Sequence, residues 1–486
     1  MSAMSAINTL LPVVLWTDAL IFLLVACIVA VGVYVRRKEY LLNAWRRVGE
    51  SRIGMAAAMV LLAFVVVGLL DSLHYRLRLE GGRDQPAQYA VEELSVLDAI
   101  AMPLKTRTEK TYSAPFAIES FAKEAVELPN GEQARLFPRL KYGGSHLQSP
   151  DDLPRDVATT ALLALLPAAL LWLGVAALIA RGYGISLREG WRNVWSGETR
   201  FAWNAALITL AIMLALFFPL AAWSTHYHVF GTDKVGQDVF YLTLKSIRTG
   251  LVIGTVTTLV MLPFALALGI AAGYLGGWVD DVIQYLYTTL NSIPGVLLIA
   301  AAVLMMQVVI DMHPAWFATG LERADARLLA LCLILGVTNW TGLCRLLRAE
   351  TLKLRELEYV QAAQAFGVSR LRIMSRHILP NVMHIVLISL VMDFSGLVLA
   401  EAVLSYVGIG VDPSTISFGT MINTARMELA RDPVVWWSLL AAFVFMFTLV
   451  LAANVFSDAV RDGFDPRMRL RPRRPAQVPT AQVRPS

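Results

Sequence analysis

Nine long apolar runs limit what this chain can fold into before any single residue does. A bilayer core takes about 20 apolar residues per helical span. The runs extend approximately from Pro12 to Val35, Ile53 to Leu73, Val157 to Ala180, Phe201 to Ala222, Leu251 to Leu275, Val282 to Ile310, Leu328 to Leu347, Ile385 to Val407 and Val434 to Phe456. Each is continuously apolar, whereas barrel strands would alternate in polarity over short stretches, so the expected fold is an all-α polytopic membrane protein. Composition agrees, with 57% of 486 residues hydrophobic and only 16% charged, far from the balance of a soluble domain. The first run is too long for a removable signal peptide and lacks a basic start and a small-residue cleavage site; it reads as an anchor. Cys27, Cys332 and Cys344 all fall inside runs, which points to small core residues and to neither a disulfide framework nor a zinc site.

A net charge of +5 raises nucleic acid as a partner, but the placement of the charge argues against it. Arg36, Arg37, Lys38, Arg46, Arg47 and Arg52 follow the first run, and Arg181, Arg188, Arg192 and Arg200 follow the third. Arg345, Arg348, Lys353, Arg355, Arg370, Arg372 and Arg376 follow the seventh, and Arg461 to Arg474 hold a further cluster after the ninth. Basic segments on one side of alternate spans mark the cytoplasmic face. The amino terminus is then expected outside and the carboxyl terminus in the cytoplasm. The short loop Gly276 to Asp281 is cytoplasmic by the same parity, although it contains no base.

The chain divides accordingly. Residues 1–73 form an anchor with two spans, and 74–156 an extracytoplasmic insert with nearly balanced acids and bases. That insert shows no metal or catalytic constellation and fits either a partly ordered segment or a docking module. Residues 157–200 hold a third span and a basic cytoplasmic linker, 201–460 six spans with short connections, and 461–486 a basic cytoplasmic tail.

Between the seventh and eighth runs lies EYVQAAQAFGVSRLRIMSRHILPN, Glu358 to Asn381. Helical spacing groups Leu357 and Val360 with Ala363 or Gln364, and Leu371 with Met374 and Ile378. Gly367 supplies a turn that only glycine adopts without steric cost, and Pro380 is expected to stop the second helix. A helix-turn-helix over 356–380 at the cytoplasmic membrane face follows. It fits an amphipathic element resting on anionic lipid headgroups or one that docks a partner, and the small pair Ala362 and Ala363 leaves room for a close approach.

The order of Gln361, Ala362, Ala363, Gly367, Ile378, Leu379 and Pro380 resembles the EAA loop of bacterial ABC importer permeases, with glutamine where the family has glutamate. Three further segments resemble the dipeptide, oligopeptide and nickel branch of that family. They are HVFGTDKVGQDVFY (with Gly231, Thr232, Asp233, Gly236 and Asp238), NSIPGVLLIA (from Asn291) and AEAVLSYVGIGVDP (from Ala400). By its residues alone, the first is a loop whose Asp233 caps a short helix. The resemblance covers about the last 290 residues. It implies a six-helix type I ABC importer permease core, here preceded by about three extra transmembrane helices. It implies a coupling loop gripped by cytoplasmic ABC ATPase subunits, a second homologous permease, and an extracytoplasmic solute-binding protein that delivers the ligand, most simply a di- or oligopeptide. Nickel or another solute is also compatible with the branch.

Charges inside the bilayer cost about 2.5–3.5 kcal/mol each on insertion scales, so Asp393 and Glu401 are expected to face protein or a water-filled path. Pro294 and Gly295 interrupt the sixth run, a break tolerated where protein or a cavity satisfies the freed backbone groups. Asn291 and Ser292 beside it are candidates for the path or for core packing, while Asn339 and Trp340 read as packing. No Gly-Lys dipeptide occurs, so no phosphate-cradling P-loop is present, and neither a zinc-type His-Glu-x-x-His nor a Gly-x-Ser-x-Gly nucleophile turn is found. The expectation is a transport subunit that binds no cofactor or metal, its energy coming from ATP used by partner subunits. The rival is an ion-gradient-coupled secondary transporter, which calls for two related halves with ion-coordinating broken helices.

Overall fold

The computed structural model describes residues 10–79, 88–127, 133–184, 186–197 and 199–464. The expected basic tail from 465 onward lies outside the described residues. An amino-terminal unit comprises α1 (Trp16–Arg36), the shorter α2 (Glu39–Glu50) and α3 (Arg52–Asp71). A hairpin follows, of α4 (Leu153–Arg181), the short α5 (Leu187–Ser196) and α6 (Trp203–Trp223). The rest comprises α7 (Val239–Leu275), α8 (Gly277–Ser292), α9 (Gly295–Met312), α10 (Gly320–Arg355), α11 (Glu358–Ala365), α12 (Arg370–Ile373), α13 (Leu379–Val407), α14 (Phe418–Glu428) and α15 (Trp437–Phe464). Among the described residues nine helices are long and apolar enough to cross a bilayer.

Two of the apolar runs differ from their expected form. The first loses its start to a strand: β1 (Leu10–Val13) pairs antiparallel with β2 (His74–Arg78), which pairs with β3 (Tyr89–Ser95). That pairing satisfies backbone groups that a span would have satisfied along its own axis, and α1 begins only at Trp16. The run from Val282 to Ile310 is two helices, because Pro294 has no N–H to give and the chain turns extended at Ile293. Cys332 and Cys344 are buried as expected, but Cys27 is exposed on α1.

The basic linkers contain two helices that the sequence reading did not separate. In α2, Ala44 and Val48 pack on Ala459, Val460 and Phe464 of α15, and Trp45 meets Phe464 edge-on at 5.6 Å. In α5, the Ser186 side chain accepts from the Glu189 N–H at the amino end, and Gly197 closes the other end with φ 76°. Their apolar stripes are three or four residues wide and interleaved with arginines, so a search for 20-residue runs passes over them.

The centre of the molecule is the pair α7 and α10. Small residues let the two backbones approach: a Cβ added at Gly273 would lie 2.7 Å from the Arg348 carbonyl oxygen, and one at Gly269 would lie 2.9 Å from that of Cys344. At the amino-terminal end of α7, a charged network ties the extra helices to this pair. Arg248 of α7 donates to Asp18 at 2.6 Å and to the Thr17 hydroxyl at 3.0 Å, both on α1. Thr17 in turn donates to Asp325 of α10, and His74 contacts Asp18 at 2.8 Å. Lys245, one turn earlier on α7, reaches Asp71 of α3 at 2.6 Å and Asp98 of the insert at 3.1 Å. The amino-terminal helices are therefore joined to the core by desolvated charge as well as by apolar contact.

Candidate functional site

The loop after α10 is held by one side and presents the other. Val360, Ile373 and Ile378 are fully buried in a cluster with Tyr274 of α7, Cys344 and Leu347 of α10, and Val382 of α13. On the opposite side Gln361, Ala362 and Gly367 are exposed and Ala363 is half-buried. Phe366 and Leu371 stand out at 87% and 75% exposure. Leu357 and Leu371, grouped with the buried stripe by helical spacing, thus belong to the open surface: Leu357 is the extended residue before α11, outside its helical phase, and the π winding of Met374–Ile378 shifts the phase that linked Leu371 to Ile378. The turn is a left-handed helix end. Gly367 has φ 75°, the Phe366 N–H donates to the Ala362 carbonyl at 2.9 Å, and the Val368 N–H donates to that of Ala363 at 3.1 Å.

Pro380 does not stop the second helix. A π-helical segment, Met374–Ile378, joins α12 to α13, and Pro380 sits in the first turn of α13 with Leu379 half-buried beside it. The wider winding accommodates a residue that lacks an N–H and would clash with the carbonyl four positions back. Consequently the loop is continuous with a span, and Asn381 staples the junction by donating to the His377 carbonyl at 2.6 Å and the Tyr359 hydroxyl at 3.1 Å.

The residues considered for a path fall into two environments. Glu401 is 1% exposed and its Oε1 accepts from the Ser405 and Ser417 hydroxyls at 2.7 and 2.8 Å. It ties α13 to the start of α14. Asp393, midway along α13, is half-buried and makes no hydrogen bond or ion pair among the described residues. Asn291, Ser292 and Pro294 are exposed at the break between α8 and α9. Asn291 accepts from the Thr341 hydroxyl at 3.2 Å, and Ser292 donates to the Thr288 carbonyl at 2.8 Å.

The loop containing Gly231, Thr232, Asp233, Gly236 and Asp238 clamps the insert to α7. Asp238, not Asp233, caps the helix, its Oδ1 accepting from the Phe240 and Tyr241 N–H groups at 2.8 and 3.3 Å. Asp233 folds its own loop instead, accepting from the N–H groups of Val235 and Gln237; α7 starts six residues later, at Val239, out of its reach. Thr232 accepts from the Ser113 N–H at 2.7 Å and donates to the Thr111 carbonyl at 2.9 Å. Gly231 and Gly236 have φ 69° and 78°, and a Cβ at Gly236 would come 1.9 Å from the Glu109 carbonyl oxygen. The same Glu109 places its carboxylate 3.4 Å from His228, which contacts Asp238 at 2.8 Å on its other nitrogen.

Burial alone would lower the His228 pKa, but hydrogen bonds to Asp238 and Glu109 and their charges push it up to about 9 from 6.5. Burial opposes ionisation of Glu109, yet the bonds from His228 and from the N–H groups of Lys141, Tyr142 and Gly143 bring it down to about 2 from 4.5. The His228 contribution is complete below pH 6.5 and lost as pH rises through about 9; that of Glu109 is complete above 4.5 and lost as pH falls through about 2. Docking of the insert is therefore expected to be tightest between pH 4.5 and 6.5. Limited proteolysis of the insert across pH 5–10 checks this: about 3 kcal/mol of docking energy, at about 1.4 kcal/mol per pKa unit, should disappear toward pH 10 in the native chain and show a flat profile in His228→Gln.

A multi-pass helical bundle, with a loop anchored on its two central helices and exposing an apolar tip, has the architecture of a membrane permease. A profile of the family described as "Binding-protein-dependent transport system inner membrane component" matches residues 265–470. The oligopeptide transport system permease protein OppC of Mycobacterium tuberculosis is 31% identical over 242 residues, covering 50% of this chain and 77% of that protein. The dipeptide transport system permease protein DppC of Lactococcus lactis is 30% identical over 49% of this chain and 64% of its own length. The glutathione transport system permease protein GsiD of Pectobacterium atrosepticum is 27% identical over 58% of this chain and 93% of its own. The chain belongs to this family of ABC transporter permeases and is a multi-pass inner-membrane component of the ABC importer type.

Proposed function

We propose that this chain forms one half of a peptide translocation pathway, completed by a second homologous permease and driven by cytoplasmic ATPase subunits that grip the loop around Gly367. The observation that supports it most is the two-sided loop. Val360, Ile373 and Ile378 anchor it in the core while Phe366 and Leu371 stand exposed, an arrangement that makes sense where a partner covers the tip. ATP-driven closure of the partner would pull the two permease loops together. Because α11 follows α10 directly and the π segment leads into α13, the pull tips both helices and alternates the access of the path.

In this reading the loop faces the cytoplasm, and the insert, at the other end of α7, faces a solute-binding protein. The amino terminus is outside and the carboxyl terminus inside. The 37 residues of α7 span about 55 Å at 1.5 Å per residue, enough to separate the two faces. Asp393, Asn291, Ser292 and Pro294 line the path; Glu401 braces its outer end. The chain itself binds no ATP and catalyses no covalent step.

Uptake of radiolabelled trialanine by proteoliposomes or cells carrying the complete importer tests the reading. Uptake should persist when ionophores collapse the ion gradients while ATP is maintained, and stop when ATP is removed. The reverse pattern would favour the gradient-coupled carrier. Replacing 80–155 with a flexible linker should abolish uptake if the insert docks the binding protein or the companion permease.

A further inference from the structure

At the insert end of α7, a cavity of about 260 Å³ opens between three parts of the chain. Tyr112 comes from the insert, Lys234 and Gln237 from the loop before α7, and Thr415, Glu428 and Ser438 from the segments around α14 and α15. Five of the sixteen lining residues, Tyr112, Asp233, Lys234, Gln237 and Leu242, lie outside the family match, which begins at residue 265. The cavity is smaller than the roughly 300–1,000 Å³ of drug-sized ligand sites. It therefore fits a small solute or one end of a longer one.

The chemistry of the wall is uneven. Its carboxylates are already engaged: Asp233 accepts two backbone N–H groups, and Glu428 pairs with Arg431 at 3.0 Å. Its donors are not. The Tyr112 hydroxyl, on a residue only 5% exposed, has the Glu428 carboxylate as its neighbour and no partner at full hydrogen-bonding distance. Lys234 makes no salt bridge, and Gln237 and Ser438 make no side-chain hydrogen bond, among the described residues. Burial, and after it a hydrogen bond to the Glu428 carboxylate and the charge on that group, raise the Tyr112 pKa, so the hydroxyl stays protonated and a ligand carboxylate competes with Glu428 for its proton. Arg431 lies 5.2 Å from the Tyr112 ring centre, and Trp437 packs edge-on against the same ring at 6.5 Å between centres. These contacts hold the ring in place whether or not a ligand is bound.

We propose that this cavity receives the free carboxylate end of a short peptide, with Lys234 as its ion-pair partner and the Tyr112 hydroxyl as a second donor. The inference rests on the peptide-import reading above and adds to it an entry site made jointly by insert and core. It lies at the end of α7 opposite the loop around Gly367, where a solute enters before the path opens to the other face.

The test is calorimetric binding of trialanine and of trialanine amide to the full-length chain in lipid nanodiscs. Saturable binding of trialanine is expected, weakened about tenfold, or about 1.4 kcal/mol, by Lys234→Ala and to a comparable extent by amidation. The amide should bind equally to native chain and Lys234→Ala. Tyr112→Phe, which keeps the ring and its packing, should weaken binding several-fold. Absence of saturable binding, or native affinity in both variants, overturns the cavity assignment. If the complete importer then still takes up trialanine, the import reading stands without it; if the complete importer moves no peptide under any condition, both fall.

Discussion

Gly367→Asp is expected to leave the chain in the membrane at near-normal abundance and to reduce ATP-driven uptake by at least about tenfold, the equivalent of about 1.4 kcal/mol in coupling. Gly367 has φ 75° and open space where a Cβ would stand, so the substitution meets no steric wall. It meets backbone strain of about 1–2 kcal/mol and adds a negative charge beside the exposed tip formed by Phe366 and Leu371. The anchoring side, Val360, Ile373 and Ile378, is untouched, which is why folding should survive. Gly367→Ala imposes the strain without the charge and should lose less. Co-purification of the ATPase with each form separates the causes: loss in the aspartate form alone assigns the effect to docking, and normal transport by the aspartate form would remove the loop from the coupling role.

The second large effect is expected at the opposite face. Arg248→Met should destabilise the chain by about 3–5 kcal/mol, the usual result of removing one partner from a buried charge pair. Asp18 would be left with His74 alone, and Asp325 with Thr17. Both carboxylates are almost completely enclosed, at 0% and 4% exposure. The readout is a thermal melt in detergent together with protease sensitivity of the amino-terminal unit, since Arg248 joins α1 to α7. The double change Asp18→Asn with Arg248→Met should recover part of the loss, because it removes the uncompensated charge together with its partner. A melt of Arg248→Met unchanged from the native chain would mean that apolar packing alone holds these helices.

Both sites show where sequence reasoning reaches and where it ends. The position of the Gly367 turn is legible because a left-handed helix end needs glycine, a local requirement written at a single position. Phe366 and Leu371 were not legible as the exposed tip: after the turn the helical phase resets, and which side is buried depends on Tyr274 and Leu347, far away in the chain. The outer loop was legible as a motif but not in its use. Asp238 rather than Asp233 caps α7, and the loop's main partner is a segment 119 residues earlier, at Ser113. Pro380 followed the local rule only in part, since π winding offered an alternative to ending the helix.

By itself the sequence determined the solvent and the architecture it demands: nine apolar runs in a bilayer must satisfy their own backbone, and only helices of about 20 residues do so. It also determined where the helices break, since proline and glycine act on the residues beside them. Only the tertiary structure decided which charges are structural and which are open. Arg248 and Asp18 are 230 residues apart and meet in the interior, Glu401 is enclosed by two serine hydroxyls, and Asp393 on the same helix has no partner among the described residues. A buried charge is stable only with a partner at contact distance, and contact between distant segments is a property of packing that no local pattern contains.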